Sequence, residues 1–246
     1  MKRLSLRLIC LLCIALLFTA LSCTGKTEKK EYPERYGELV GLLGETRESA
    51  LKQLNLTEKD FTETAKGLYS VPMPAQYNGL SFEISLEFDE INGRFMGFSY
   101  TKTWEDQKEA TIREISALAK ALTATFGEAR SDIDSERFSS MNDEVLSQAF
   151  REAARKGGQV GTDYWLVGKR ENVAILDYIQ ILQEQNQRSE MAGDHLNLTL
   201  EMRVATEETS GTTKVWLRFR LEPDYRAGWF SPPPNGRSIQ LQDHRT

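Results

Sequence analysis

The strongest constraint on the fold is a strict alternation of apolar and polar residues over 80–88. The apolar positions of this stretch are Leu80, Phe82, Ile84, Leu86 and Phe88. A period of two places every second side chain on the same side of a strand, so one face is buried and the other meets water. Asn92-Gly93 follows as a typical hairpin turn and predicts a return strand over residues 94–100. The chain is therefore expected to build antiparallel sheet with one apolar face.

Other segments extend this pattern and define the order of the elements. Residues 195–204 and 214–221 also alternate, and residues 68–71, 162–167 and 173–182 are weaker strand candidates. Apolar residues recur at helical spacing over 105–126 and 142–156, and Thr46 can cap a short helix over 46–54, with a second helix start at 57–60. We predict an α+β fold in which helices pack on one face of antiparallel sheet. The repeated order suggests two tandem helix–helix–sheet halves over residues 36–102 and 103–222.

The order of elements resembles a known architecture. Together with the phrases Leu43-Gly44-Glu45-Thr46 and Phe126-Gly127-Glu128, it is similar to the tandem helix–helix–sheet arrangement of β-lactamase inhibitor proteins. It is also similar to small outer-membrane assembly lipoproteins with two helices on a sheet. The resemblance implies a fold and leads to no functional residue, because unrelated functions occur on one fold.

The N-terminus predicts export. Lys2, Arg3 and Arg7 precede an apolar run over 8–21, which is shorter than the ~20 residues of a membrane-spanning helix. Positive charge, a short apolar core and a small-residue exit are typical of a cleavable signal peptide, here residues 1–22. The exit, Thr19-Ala20-Leu21-Ser22-Cys23, resembles the lipobox of bacterial lipoprotein precursors, with Ala20 and Leu21 in the reverse of the usual order.

This resemblance implies that Cys23 carries a diacylglyceryl group, with acyl chains such as palmitate, and becomes the mature N-terminus. Ordinary signal-peptidase cleavage and an uncleaved anchor are the alternatives. Residues 23–35 are rich in charge and poor in apolar residues, and so predict a flexible tether. The expected location is the extracytoplasmic side of the cell membrane or the outer membrane. Residues 223–246 contain three consecutive prolines and predict an extended tail.

Charge and residue counts exclude several functional classes. The chain has 31 basic and 36 acidic residues, and loss of the signal peptide makes it more acidic, which argues against a nucleic-acid partner. Of three cysteines, Cys10 and Cys13 lie in the signal core, so Cys23 alone remains and no disulfide or cysteine metal site is expected. The two histidines, His195 and His244, are too few for a zinc site built on several histidines. No catalytic residue, metal ligand or cofactor is assigned.

The remaining candidates are aromatic and acidic side chains. Trp216 lies in a predicted strand on the side opposite its apolar face, and Trp229 and Phe230 precede the prolines of the tail. An aromatic residue exposed on a sheet can form a ligand surface, although core packing explains it as well. We predict a membrane-tethered binding module with an unknown ligand or protein partner. A hydrolase that uses the paired carboxylates of Glu83 and Glu87 is one alternative, and an envelope assembly or inhibitor role is another.

Overall fold

The computed structural model describes residues 30–90, 92–105, 109–131, 138, 140–156, 158–170, 191–207 and 212–225. The chain divides into an N-terminal unit that ends at Glu31 and a unit that begins at Tyr32 and holds every element named below. The predicted signal peptide, Cys23, the predicted strand over 173–182, Trp229 and Phe230 lie outside the described residues.

The described residues form an α+β domain around one antiparallel sheet, which confirms the predicted fold class. The strands are β1 (Thr62–Ala65), β2 (Leu68–Tyr77), β3 (Leu80–Phe88), β4 (Phe95–Trp104), β5 (Arg130–Ser131), β6 (Gly158–Arg170), β7 (Met191–Thr206) and β8 (Thr213–Tyr225). The helices are α1 (Tyr36–Leu42), α2 (Arg47–Gln53), α3 (Glu109–Phe126) and α4 (Asp143–Lys156). The strand order is β1-β2-β3-β4-β8-β7-β6-β5, so both predicted halves contribute to a single sheet.

A row of buried side chains crosses five neighbouring strands and shows where the core lies. In register, the row consists of Leu86, Phe98, Phe219, Leu200 and Trp165. Each of these residues is at most 1% exposed. The helices cover this face: α4 contacts β6 and β7, and α3 contacts α4 and β6. The indole N–H of Trp165 donates to the carbonyl of Gly127 just after α3, at 3.0 Å, which fixes this helix end to the sheet.

The first residues of the domain are held to the same core. Tyr32 stacks on Tyr36 with ring centroids 5.0 Å apart, and Tyr36 lies 5.2 Å from the ring of Phe219. The Tyr100 hydroxyl donates to the carbonyl of Glu34 at 2.9 Å. The backbone N–H of Gln76 donates to the Glu34 carboxylate at 3.0 Å. These contacts hold residues 32–36 against the core of the sheet.

Three local differences from the predicted elements have clear physical causes. Strand β2 continues beyond the predicted limit at Val71, because a register shift between Val71 and Pro74 accommodates its prolines. Residues 57–60 form a turn rather than a helix, since the Asp60 carboxylate accepts from the Thr57 N–H and hydroxyl, both at 2.6 Å. Helix α1, which the sequence analysis does not predict, exists because Leu39 and Leu42 are buried in the core.

Within the described residues, no helix has the length and apolarity needed to cross a bilayer.

Candidate ligand-binding site on the open sheet face

The sheet face opposite the helices carries the polar half of each alternating strand, and we call it the open face. Side chains on a strand alternate between faces, so the register places polar positions of neighbouring strands side by side. On β8 these positions are Lys214, Trp216, Arg218, Arg220 and Glu222, each of them half-buried. On β3 they are Ser81, Glu83, Ser85 and Glu87.

An ion cluster lies near the centre of the open face. The Arg218 Nη2 atom lies 2.8 Å from both carboxylate oxygens of Glu87, and Nε donates to Oε2 at 3.0 Å. Arg220 Nε lies 3.2 Å from Oε1 of the same carboxylate but makes no hydrogen bond there, because the N–H is not aligned with it. The Glu87 side chain is only 16% exposed, so this pairing occurs partly out of water.

Small residues on β4 let this cluster form across an intervening strand. Gly97 pairs with Glu87 on one side and with Arg220 on the other, and Ser99 lies opposite Arg218. A Cβ atom at Gly97 would stand 2.6 Å from the carbonyl oxygen of Phe219, which is far inside van der Waals contact. The small side chains of β4 therefore leave room for the Arg218 side chain to cross this strand and reach Glu87.

Two further cations surround Trp216. The Arg203 guanidinium lies 5.8 Å from the Trp216 ring centroid, and the Lys214 ammonium lies 5.0 Å from it. Arg203 and Trp216 are directly opposite in the β7–β8 pair. Neither cation has a carboxylate partner in the described parts of the chain, and each makes a cation–π contact with the indole. Both positive charges are therefore available to a ligand.

A row of three serines crosses the same face at right angles to the strands. Ser70 pairs with Ser85 and Ser85 pairs with Ser99, so their side chains lie side by side on β2, β3 and β4. The row continues in register with Arg218 on β8 and Glu201 on β7. None of the three serine hydroxyls makes a hydrogen bond to another described residue. Each can still donate and accept hydrogen bonds.

Two cavities lie along this row. The first has a volume of about 370 Å³ and is lined by Ala65, Lys66, Leu68, Glu87, Phe98, Ser99, Glu201, Arg203, Trp216 and Arg218. The second has a volume of about 420 Å³ and is lined by Asp60, Phe61, Thr62, Ser70, Val71, Met73, Pro74 and Glu83. Ser85 lies between Ser70 of the second cavity and Ser99 of the first. Both volumes fall in the range of small-molecule sites, about 300–1,000 Å³.

At the end of the open face near Glu222, polar side-chain groups are largely withdrawn from water. Burial raises the pKa of the Glu222 carboxyl above its usual value, and the nearby charges of Arg220 and Arg218 oppose this shift only in part. Asn197 is opposite Glu222 in the register, and its side-chain oxygen is buried without a hydrogen-bond partner.

The structure brings together only some of the residues that the sequence analysis selected. Trp216 lines the first cavity, as does Glu87, whereas Glu83 lines the second. The two carboxylates thus face different cavities, and that of Glu87 is held by Arg218. The backbone of His195 lies in β7, and its side chain is outside the described set. Among the described residues, no group of three or more His, Cys, Asp or Glu side chains is placed to hold a metal ion.

The sequence analysis missed Arg203 and the serine row. Each lies at a polar position of an alternating strand, where a solvated face is the ordinary expectation. Arg203 could be recognised as a candidate because it lies opposite Trp216 when β7 and β8 are paired. That recognition requires the register of the two strands, which the sequence alone does not provide.

Neither a protein-family model, nor a curated protein, nor a solved structure matches the chain. The candidate site therefore rests on its own geometry.

Proposed function

We propose that this protein is a lipid-anchored extracytoplasmic lipoprotein that acts as a binding module through the open face of its sheet. The signal sequence and its exit at Cys23 support the anchor. The observation that carries the binding role is Arg203, which lies over the Trp216 ring without a carboxylate partner among the described residues, at a cavity of about 370 Å³.

The physical reason for preferring a binding role is that the site is preformed and that several of its polar groups have no hydrogen-bond or ion-pair partner among the described residues. The backbones of six paired strands hold the first cavity, so little ordering is needed when a ligand arrives. The free cations and hydroxyls on this rigid surface can be satisfied by polar groups of a ligand. The hydrolase alternative requires two carboxylates at one site. Glu87 is paired with Arg218, and Glu83 lines the other cavity, so we keep the hydrolase as a separate prediction. The assembly or inhibitor role likewise remains a prediction.

The anchor is tested by replacing the residue that would carry it. In a bacterial host fed an alkyne-labelled palmitate, the full chain is expected to incorporate the label and to sediment with membranes. Cys23→Ser is expected to lose the label, because no thiol remains at the predicted junction. Cys13→Ser, a matched change inside the apolar run, is expected to keep it. Equal labelling of the Cys23→Ser and Cys13→Ser variants would contradict the anchor.

The binding role is tested by a photo-crosslinking amino acid placed at position 85. Ser85 lies in the serine row, whereas Lys120 is exposed on α3 and provides the matched control on the helix side. Mass spectrometry of membranes after irradiation is expected to show one recurrent adduct mass at position 85 and none at position 120. If both positions give the same adducts, or position 85 gives none, the open face is not the binding surface.

A further inference from the structure

We infer that the open-face cavity binds an anionic sugar, that is, a ring bearing several hydroxyls and one carboxylate or phosphate. The oxyanion would contact Arg203, and the ring hydroxyls would contact Glu201 and Ser99, the one member of the serine row that lines this cavity. This inference rests on the proposed function and names the ligand class of the same site. It follows from which polar groups of the cavity are already paired and which are free.

Arg203 is the group best placed to hold the oxyanion. Arg218 is already bound to Glu87 through Nε and Nη2, and Lys66 is paired with Glu90. The Arg203 side chain makes no hydrogen bond or ion pair with another described residue, and its guanidinium carbon lies 5.8 Å from the centroid of the Trp216 ring. A cation–π contact uses none of the guanidinium N–H donors, so the fork of Arg203 is free to donate. Such a fork matches the two oxygens of a carboxylate or phosphate.

The serine row supplies a contact of a different kind through Ser99, which lines the cavity. Neighbouring strands are about 4.8 Å apart, so Ser85 and Ser70 lie roughly 5 and 10 Å further from Arg203 than Ser99 does. A hydroxyl both donates and accepts, which is also the property of each hydroxyl of a sugar ring. The backbone amides beneath the row are used within the sheet. An extended peptide is a poorer fit, because peptides that bind sheets do so through backbone hydrogen bonds at a strand edge.

The acidic groups around the cavity limit the charge of the ligand. Glu87 and Glu201 line the cavity together with Arg203, and Glu201 has no ion-pair partner among the described residues. A second anionic group on the ligand would approach these carboxylates, and like charges in a partly dry site repel. Glu201 can instead accept a hydrogen bond from a ligand hydroxyl. The site therefore favours a sugar with one acidic group over a polyanion.

The test is calorimetric titration of the full-length chain in detergent with five probes: glucuronate, glucose 6-phosphate, glucose, acetate and inorganic phosphate. At least one of the two anionic sugars is expected to bind saturably, and which one binds identifies the oxyanion. Glucose lacks the anion, whereas acetate and phosphate lack the hydroxyls. Each of these three is expected to bind at least tenfold more weakly than the anionic sugar.

Three variants locate the binding. Arg203→Gln is expected to weaken binding of the anionic sugar at least tenfold, because the charged fork is lost. Ser99→Ala is expected to reduce the preference for the anionic sugar over acetate, because the hydroxyl contact inside the cavity is removed. Arg113→Gln, an exposed arginine of α3, is the matched control and is expected to leave binding unchanged. If Arg203→Gln alters the unfolding temperature, Arg203→Lys repeats the comparison with the charge kept and the planar fork removed.

Saturable binding of neither anionic sugar would overturn the inference, as would binding that Arg203→Gln leaves unchanged in a folded protein. The crosslinking result at position 85 separates this failure from a failure of the proposed function. An adduct at position 85 without sugar binding would contradict the anionic-sugar ligand and leave the binding role of the open face in place. Loss of both results removes the open face as a binding surface.

Discussion

Gly97 allows the packing of the central strands to be tested with a single added methyl group. It lies on β4 between Glu87 and Arg220, and a Cβ atom there would be 2.6 Å from the carbonyl oxygen of Phe219 and 3.3 Å from the Cα atom of Arg220. The closest ordinary contact between carbon and a carbonyl oxygen is about 3.3 Å. β4 and β8 would therefore have to separate locally by several tenths of an ångström, at the centre of the sheet.

The expected cost follows from two opposing effects. Overpacking of a well-packed site costs about 1–3 kcal/mol. Alanine also restricts the unfolded chain more than glycine does, which returns about 0.4–1 kcal/mol. Gly97→Ala should therefore lower the free energy of unfolding by about 1–2 kcal/mol, measured by urea denaturation with an unchanged dependence on urea concentration.

Gly168 on β6 is the matched control. A Cβ atom there would meet no heavy atom within 4 Å, and the residue does not have the positive φ that disfavours other side chains. Gly168→Ala should leave the free energy of unfolding unchanged or raise it by up to about 1 kcal/mol. If Gly97→Ala is as stable as Gly168→Ala, the close approach of β4 to β8 is wrong.

Three further changes test other parts of the structure. Arg47→Met should lower the free energy of unfolding by about 1 kcal/mol in thermal denaturation, because the Arg47 guanidinium lies against three aromatic rings. The control is Arg113→Met at an exposed ion pair, which should change the free energy of unfolding by less than about 0.5 kcal/mol. Burial raises the pKa of the Tyr100 hydroxyl, so stability should fall as the pH rises through the ordinary tyrosine value of about 10, and urea titrations of Tyr100→Phe should show a smaller fall. Burial likewise raises the pKa of Glu222, so its stabilising effect is complete only at acid pH and is lost as the pH rises through the raised value. Glu222→Gln should therefore be more stable than the unchanged chain at pH 7, and lower stability there would refute this account.

Local sequence patterns predict much of the sheet and of the two long helices. The strand over Leu80–Phe88 has the predicted limits, because its period of two is uninterrupted. The predicted helix over 142–156 differs from Asp143–Lys156 by one residue at its start. Strand β2 was only partly predicted, since prolines ordinarily interrupt a strand and the bulge that accommodates them depends on β3. Contacts across the sheet, rather than local preference, set that outcome.

The candidate site is less predictable than the fold for a related reason. Glu87 and Arg218 are 131 positions apart in the chain, and their ion pair depends on the register of β3, β4 and β8. The pairing of Arg203 with Trp216 depends on the register of β7 with β8. In the sequence, each of these residues is one polar position on an alternating strand. Trp216 was identifiable because a large aromatic residue on a polar face departs from that pattern.

The pairing of β4 with β8 at the centre of the sheet has a consequence for how the chain folds. The paired residues are roughly 110–120 positions apart, so forming this pair closes a long loop and costs conformational entropy. We therefore expect β4 and β8 to pair late in folding. Until β8 is available, the edge of β4 that will pair with it exposes unpaired backbone groups, which is a hazard for aggregation. Because β8 is the last strand among the described residues, an emerging chain completes the middle of this sheet after both flanks. The open-face cavity, which needs residues from both sides of that junction, therefore forms only when the final strand enters.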